Sequence, residues 1–350
     1  MTGIDRTDGD NGLIPTYRGA VNACECDNMG HMNVQFYVAK AADALGFLRL
    51  ALGLSPAAIA TRRLTLLPAE DRVLFRRELR AGDILTMASG IRAVDDEGCL
   101  SHPEVRNREK GETAAIFERR LVPFDLDRRE TAPWPADVRL QAEALAARFA
   151  GPPMPAPQGP EAPGPDAAPL ESYRGFVNAW EADENGLAAL RFHIHRFSNA
   201  MSQVWNTLGL AGAARLERNL GGAALDYVVR YHRPLKPADA VLVRSGLIEA
   251  GSKVIRLYHH MIDAATSAPV TSILERSSNW VISRVSRSDS ATTTPRNSSR
   301  SASESSGWSR KISEKARIEA SGVLSSWLTV ATKSSFSRSS ACSRELTSLS

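Results

Sequence analysis

From Asn33 to Leu52 the apolar residues Phe36, Tyr37, Ala41, Ala44, Leu45, Leu48 and Leu52 recur at spacings of three and four, the period of a helix with one buried face. Gly53 and Ser55-Pro56 should end that helix. Beyond it the period changes to two. Alternation predicts strands from Val73 to Leu79, Ile84 to Val94, Cys99 to Asn107 and Thr113 to Phe124. Turn residues separate them at Ala81-Gly82-Asp83, Asp95 to Gly98 and Lys110-Gly111-Glu112. A short strand from Tyr17 to Cys26 precedes the helix and runs into the turn Asp27-Asn28-Met29-Gly30. The expectation is an α+β domain in which an antiparallel sheet wraps one long helix.

The same pattern occurs twice. Tyr17-Arg-Gly-Ala-Val-Asn-Ala-Cys-Glu-Cys-Asp27 matches Tyr173-Arg-Gly-Phe-Val-Asn-Ala-Trp-Glu-Ala-Asp183, and the register holds without a gap to Leu54 and Leu210. It continues at Phe75, Arg77, Leu79 and Asp83 against Tyr231, Arg233, Leu235 and Asp239, then slips by one at Glu118-Arg119 and Glu275-Arg276. A duplicated domain is the economical explanation. Between the copies, residues 151–169 hold 8 of the 19 prolines and should form neither helix nor sheet. The expected units are residues 15–136, a helix and proline-rich linker over 137–170, a second copy over 171–282, and a tail over 283–350.

Composition changes the picture mainly at that tail. It holds 23 serines against 12 in the preceding 282 residues and reads as disordered, either as a native Ser/Arg tail or as the product of a frameshift. Its net charge of +6 exceeds the +4 of the whole chain, so residues 1–282 carry −2. The high pI is therefore a property of the tail, and a nucleic-acid groove on the body is not expected. The polar start and the lack of a long apolar run suggest a cytoplasmic protein without a membrane span. Cys24 and Cys26, on one face of the expected strand, read as buried structural thiols. No metal site or cofactor is expected.

The run Cys26-Asp27-Asn28-Met29-Gly30-His31-Met32-Asn33-Val34-Gln35-Phe36-Tyr37 resembles the strand-to-helix turn of hotdog-fold thioesterases of the 4-hydroxybenzoyl-CoA thioesterase type. Arg77-Glu78-Leu79 before Gly82-Asp83, and His102 in the fourth strand, support the resemblance. It implies two hotdog domains in tandem that hydrolyse an acyl-CoA. A thioester expels a thiolate of pKa about 8.5 with little help, so the demand is for a nucleophile and an oxyanion site. Asp27 could activate water as a general base or attack the carbonyl itself. Backbone N–H groups from Asn33 to Phe36, at the positive end of the helix dipole, could hold the oxyanion. His31 and Asn33 are candidates to orient these groups, and Gly30, Val34, Phe36 and Tyr37 to line the acyl pocket. The bland reading is that Asp27 closes a turn and Asn33 caps a helix.

In the second copy Asp183 and Gly186 remain, but Leu187, Ala188 and Ala189 replace His31, Met32 and Asn33, and His193 replaces Tyr37. Hotdog domains characteristically pair helix to helix. The resemblance therefore implies an intrachain pseudo-dimer, leaving a further homo-oligomer open, in which Arg191 and Phe192 wall the pocket of Asp27. Pairing should bury helix flanks carrying Phe36, Phe47, Phe192 and Val204. Two other functions compete: a non-catalytic acyl-CoA or acyl-carrier binding module, and enoyl-CoA hydration, which usually places its Asp and His on a longer loop.

Overall fold

The computed structural model describes residues 11–27, 29–209, 220–251 and 254–281; the expected tail lies outside them. The first copy runs β1 (Ile14–Ala20), a 3-10 turn (Ala23–Glu25), α1 (Val34–Ala51), α2 (Pro56–Arg62), β2 (Leu64–Phe75), β3 (Ile84–Val94), β4 (Cys99–Asn107) and β5 (Glu112–Asp125). A short β6 (Glu130–Thr131) and α3 (Ala136–Ala146) follow. The second repeats the plan with β7 (Leu170–Phe176), a 3-10 turn (Ala179–Glu181), α4 (Leu190–Thr207), β8 (Leu220–Tyr231), β9 (Ala240–Ala250), β10 (Val254–Asp263) and β11 (Pro269–Val281).

Two local expectations need correction. β1 stops at Ala20 because the chain curls where the Glu25 carboxylate accepts from the Asn22 amide (2.9 Å), forming the 3-10 turn. Cys24 and Cys26 thus lie off the strand, Cys24 exposed and Cys26 half-buried, and they are not a buried pair. β2 starts at Leu64 rather than Val73. Pro68 and Glu70-Asp71-Arg72 mask the alternation, but Pro68 sits where the register with β5 shifts, and Asp71 is buried against Arg119.

The strands form one antiparallel sheet in the order β1-β3-β4-β5-β2-β8-β11-β10-β9-β7, with the two copies joined where β2 pairs β8 from Glu70–Arg230 to Leu74–Asp226. The helices α1 and α4 pack side by side, and their contacts fix an antiparallel arrangement: Gln35 meets His195 at the start of α1, while Arg49 meets Glu184 near its end. One apolar cluster draws on both copies, including Val38, Ala41 and Phe117 from the first and Phe197, Ala200 and Val229 from the second. Phe192 and Val204 are buried and Phe36 partly so, but Phe47 is 58 % exposed. Phe47 belongs to a flank of α1 that α4 does not cover.

Residues 151–169 contain only a 3-10 turn, Pro165–Ala167. Their backbone carbonyls, lacking ladder partners, are taken by side chains of the sheet: Arg92 donates to Gly151 O (3.1 Å), His260 to Pro163 O (2.7 Å) and Tyr258 to Ala167 O (2.9 Å).

Candidate active site

Two tethers set the turn that carries Asp27. The Lys40 ammonium, buried on α1, donates to Glu25 (2.8 Å) and to Ala20 O (3.2 Å), holding the 3-10 turn against the helix. The Met32 amide then donates to Leu79 O (2.7 Å) and the Asn33 amide to Glu25 O (2.9 Å). Between these anchors the chain reverses at Gly30, whose φ of +77° suits a residue without Cβ. Asp27 Oδ1 accepts from the amides of Met29 (2.8 Å) and His31 (3.2 Å). Among the described residues no donor reaches Oδ2, so one carboxylate oxygen is committed to the turn and the other is available for chemistry.

His31 turns away from that carboxylate. Its Nε2 lies 3.0 Å from Glu78 Oε2 and 2.8 Å from Arg80 Nη2, so the ring anchors the turn to the β2–β3 connection. Asn33 caps α1, its Oδ1 accepting from the Gln35 amide (3.0 Å), and Ser198 Oγ on α4 donates to the same atom at 3.5 Å. With Asn33 N and Gln35 N so engaged and Phe36 N bonded to Asn33 O, only Val34 N in the expected oxyanion stretch is without an acceptor among the described residues. That site narrows to one amide. Tyr37 does not line an open pocket: it is buried, its hydroxyl reaches Arg77 O (3.4 Å), and its ring meets Phe75 edge-on at 5.3 Å.

Across from the start of α1, the residues presented by α4 are His195 and Ser198, not Arg191 and Phe192. His195 Nδ1 and Gln35 Oε1 are 2.9 Å apart, and Asn199 Nδ2 is 3.1 Å from His195 Nε2. Because the helices are antiparallel, the first turn of α4 lies farther along α1, where Arg191 opposes the rise that burial imposes on the Asp43 carboxyl. Phe192 is buried beneath Trp180 and the Arg191 guanidinium. The polar interhelical set His195, Ser198 and Asn199 had no signal in the sequence, since helix-to-helix register is a tertiary property.

The second copy keeps the turn intact. Asp183 Oδ1 accepts from Asn185 N (2.9 Å) and Leu187 N (3.0 Å), Gly186 has φ +70°, and Arg196 takes the place of Lys40 by donating to Glu181 (2.7 Å). Burial raises the Asp183 carboxyl. An open groove of about 2160 Å³ runs from this second turn along α1 and around β1; Asp183, Leu187 and Leu190 line it, and Asp27 does not.

A family model for the thioesterase-like superfamily matches residues 21–142 and 177–283. The chain belongs to that superfamily. Solved structures agree on the thioesterase-like hotdog fold. A 12:0-ACP thioesterase from Umbellularia californica has a TM-score of 0.58 at 12 % identity, covering 77 % of this chain and 95 % of its own. A structure described as an oleoyl thioesterase from Lactobacillus plantarum has a TM-score of 0.57 at 14 % identity (75 % and 94 %). An acyl-ACP thioesterase from Bacteroides thetaiotaomicron scores 0.57 at 11 % (76 % and 98 %). Among curated proteins no sequence match was found. This thioesterase-like chain shows, among its described residues, no cluster of three or more His, Cys, Asp or Glu placed to hold a metal, and no single helix long and apolar enough to cross a membrane.

Proposed function

We propose that the protein hydrolyses an acyl thioester at Asp27, releasing a free acid and a thiol carrier, with acyl-CoA as the first substrate class and acyl-carrier protein as the alternative carrier. The observation that carries this reading is the divided Asp27 carboxylate: Oδ1 is fixed by two backbone amides while Oδ2 has no donor among the described residues, in the turn that leads into α1. Oδ2 can deprotonate a water or add to the carbonyl, and the Val34 amide can polarise the thioester oxygen. His31 and Asn33 act by holding the turn and the helix start rather than by touching the carboxylate. His195, Ser198 and Asn199 on α4 form the opposing wall, so the two copies work as one intrachain pair and residues 171–282 complete the site of residues 15–136.

The test is a panel of acyl-CoAs and acyl-carrier proteins assayed for free thiol. Asp27→Asn, which keeps the turn's hydrogen bonds, should lower kcat by on the order of 100-fold, the scale for losing a positioned acid-base group. A second reading, acyl binding without hydrolysis, is favoured by one observation: Asp183 makes the same turn where the polar neighbours are gone, so the turn alone does not require catalysis. No thiol release from the unaltered protein would replace hydrolysis with binding, and undiminished release by Asp27→Asn would take the activity away from Asp27.

A further inference from the structure

The groove beside Asp183 lies at the far end of the helix pair from Asp27. The 18 residues of α1 span about 27 Å, and the antiparallel packing sets the two turns at opposite ends of it. Its wall along α1 is open, and between the charged Asp43 and Arg49 it is apolar. Phe47 and Leu50 are 58 % and 47 % exposed there, though they sit on the central helix of the fold. Between them and Leu45 comes Gly46, where an added Cβ would meet nothing within 4 Å. A mid-helix glycine costs about 1 kcal/mol relative to alanine, and no close packing at this position accounts for it. It keeps space open.

The end of the groove is equally specific. At the start of α4, Ala189 occupies the cap position with the backbone geometry of Asn33 but has no side chain to accept a hydrogen bond. The Arg191 amide thus lacks the partner that Asn33 gives Gln35, and the Leu190 N–H, in the groove wall, has no acceptor among the described residues, as Val34 has none in the first copy. Asp43, Asp183 and Glu184 surround this end, and the two arginines that line it are already engaged, Arg49 by Leu66 O (2.7 Å) and Glu184 (3.6 Å), Arg233 by Asp239 (3.1 Å) and Asp263. A free carboxylate is thus disfavoured, and a neutral carbonyl on an apolar chain fits.

We propose that this groove is a second ligand site, which holds the linear acyl chain of an acyl thioester with its carbonyl on the Leu190 N–H and does not hydrolyse it. The choice of ligand rests on the acyl-thioester reading above; the existence of the site does not. The probe is the ketone analogue of dodecanoyl-pantetheine, in which a methylene replaces the thioester sulfur and no bond can be hydrolysed, carrying a diazirine at the chain end. On the full chain, photolabel should fall in the peptide containing Phe47 and Leu50. Gly46→Trp should abolish that labelling and weaken calorimetric binding at least tenfold, while hydrolysis of acetyl-CoA stays within twofold. Gly46→Ala serves as the folded control, and Leu50→Gln replaces Gly46→Trp if circular dichroism shows the latter misfolded. Label on α4 around Met201 to Trp205, or unchanged binding by the filled variant, overturns the proposal. Parallel loss of binding and hydrolysis also overturns it, by making the groove part of the Asp27 site. Binding intact with no thioester hydrolysed would leave the second site standing and remove the activity instead.

Discussion

The two copies share a backbone plan and solve its interior differently. In the first, Asp71 on β2 and Arg119 on β5 form a fully buried pair, Oδ1–Nε 2.6 Å and Oδ2–Nη2 2.8 Å, and Arg119 also donates to Ala41 O (3.0 Å) in α1. Strand register pairs Asp71 with Arg119 and Tyr227 with Glu275, so the fold does not keep the one-residue slip read at Glu275-Arg276; Tyr227 and Glu275 are both buried, and burial raises the Glu275 carboxyl. The copies are also cross-linked, since the Tyr231 hydroxyl on β8 donates to Asp71 Oδ2 at 3.1 Å. One copy ties its sheet to its helix with a charge pair. The other puts a tyrosine and a carboxyl raised by burial there, with no arginine between them. A charge pair withdrawn from water has to keep both partners, because each alone is an uncompensated ion.

The largest effect should follow from breaking that asymmetry. Arg119→Met leaves Asp71 buried without its counter-ion and should cost about 3–5 kcal/mol in urea denaturation, whereas the double variant Arg119→Met with Asp71→Leu should recover most of the loss. Glu275→Gln, which leaves no arginine without its counter-ion, should cost under about 1 kcal/mol. Similar losses from Arg119→Met and Glu275→Gln would mean that the two interiors are energetically alike.

The active-site comparison comes next. A 100-fold fall in kcat corresponds to about 2.7 kcal/mol of transition-state stabilisation. It is expected for Asp27→Asn, while Asp183→Asn should leave thiol release within twofold. Equal losses would mean two working sites.

Acid sharpens the contrast further, since the second copy holds two of the three strongly shifted histidines. Burial, with Arg196 and Arg233 nearby, brings His193 down to about 3; burial, with His260, brings His259 to about 3; burial and Arg92 bring His102 in the first copy to about 4. The unfolded chain takes up these protons near pH 6.5, the folded chain only much lower. Stability is therefore complete above about pH 6.5 and falls as pH drops, by about 1.4 kcal/mol per pH unit for each such histidine, until the folded value is reached. Glu275 acts in the opposite sense, because its raised folded value favours proton uptake by the native state. Urea midpoints at pH 7 and pH 5 should show the fall. His259→Gln should flatten it whatever its effect at pH 7, and an unchanged slope would exclude His259 as a source.

How far the sequence foretold this arrangement depends on whether local pattern or distant partners decide each feature. The period of α1 and the alternation of β3 and β4 were legible because one face of each is buried throughout. β2 was cut short in the reading since Asp71 looks like a solvated residue until Arg119, on another strand, is brought opposite it. The Asp27 turn was legible from its Gly30 and from the repeat at Asp183. The facing residues His195 and Ser198 were not, nor was the groove, because both depend on how α1 and α4 register against each other. The role given to Asn33 was nearer to the bland expectation, a helix cap.

That cap yields the smallest and most local contrast. Asn33 and Ala189 have nearly the same backbone angles, φ −63° and ψ 142° against φ −60° and ψ 141°, so a side chain that caps α1 can be placed on α4 without rebuilding the turn. Ala189→Asn should therefore satisfy the Arg191 amide, as Asn33 satisfies that of Gln35, and stabilise the protein by about 1 kcal/mol, while Asn33→Ala should cost about as much. The two changes should separate in function. Asn33→Ala loosens the helix start beside Asp27 and should lower kcat modestly, whereas Ala189→Asn should leave kcat unchanged and weaken binding of the ketone probe, because a polar amide would stand in the groove beside the Leu190 N–H. Denaturant midpoints measure the first pair of effects and calorimetry the second. If Ala189→Asn destabilised the chain, the matched angles would not reflect matched caps, and the equivalence of the two turns would fail at the residue where it is most directly tested.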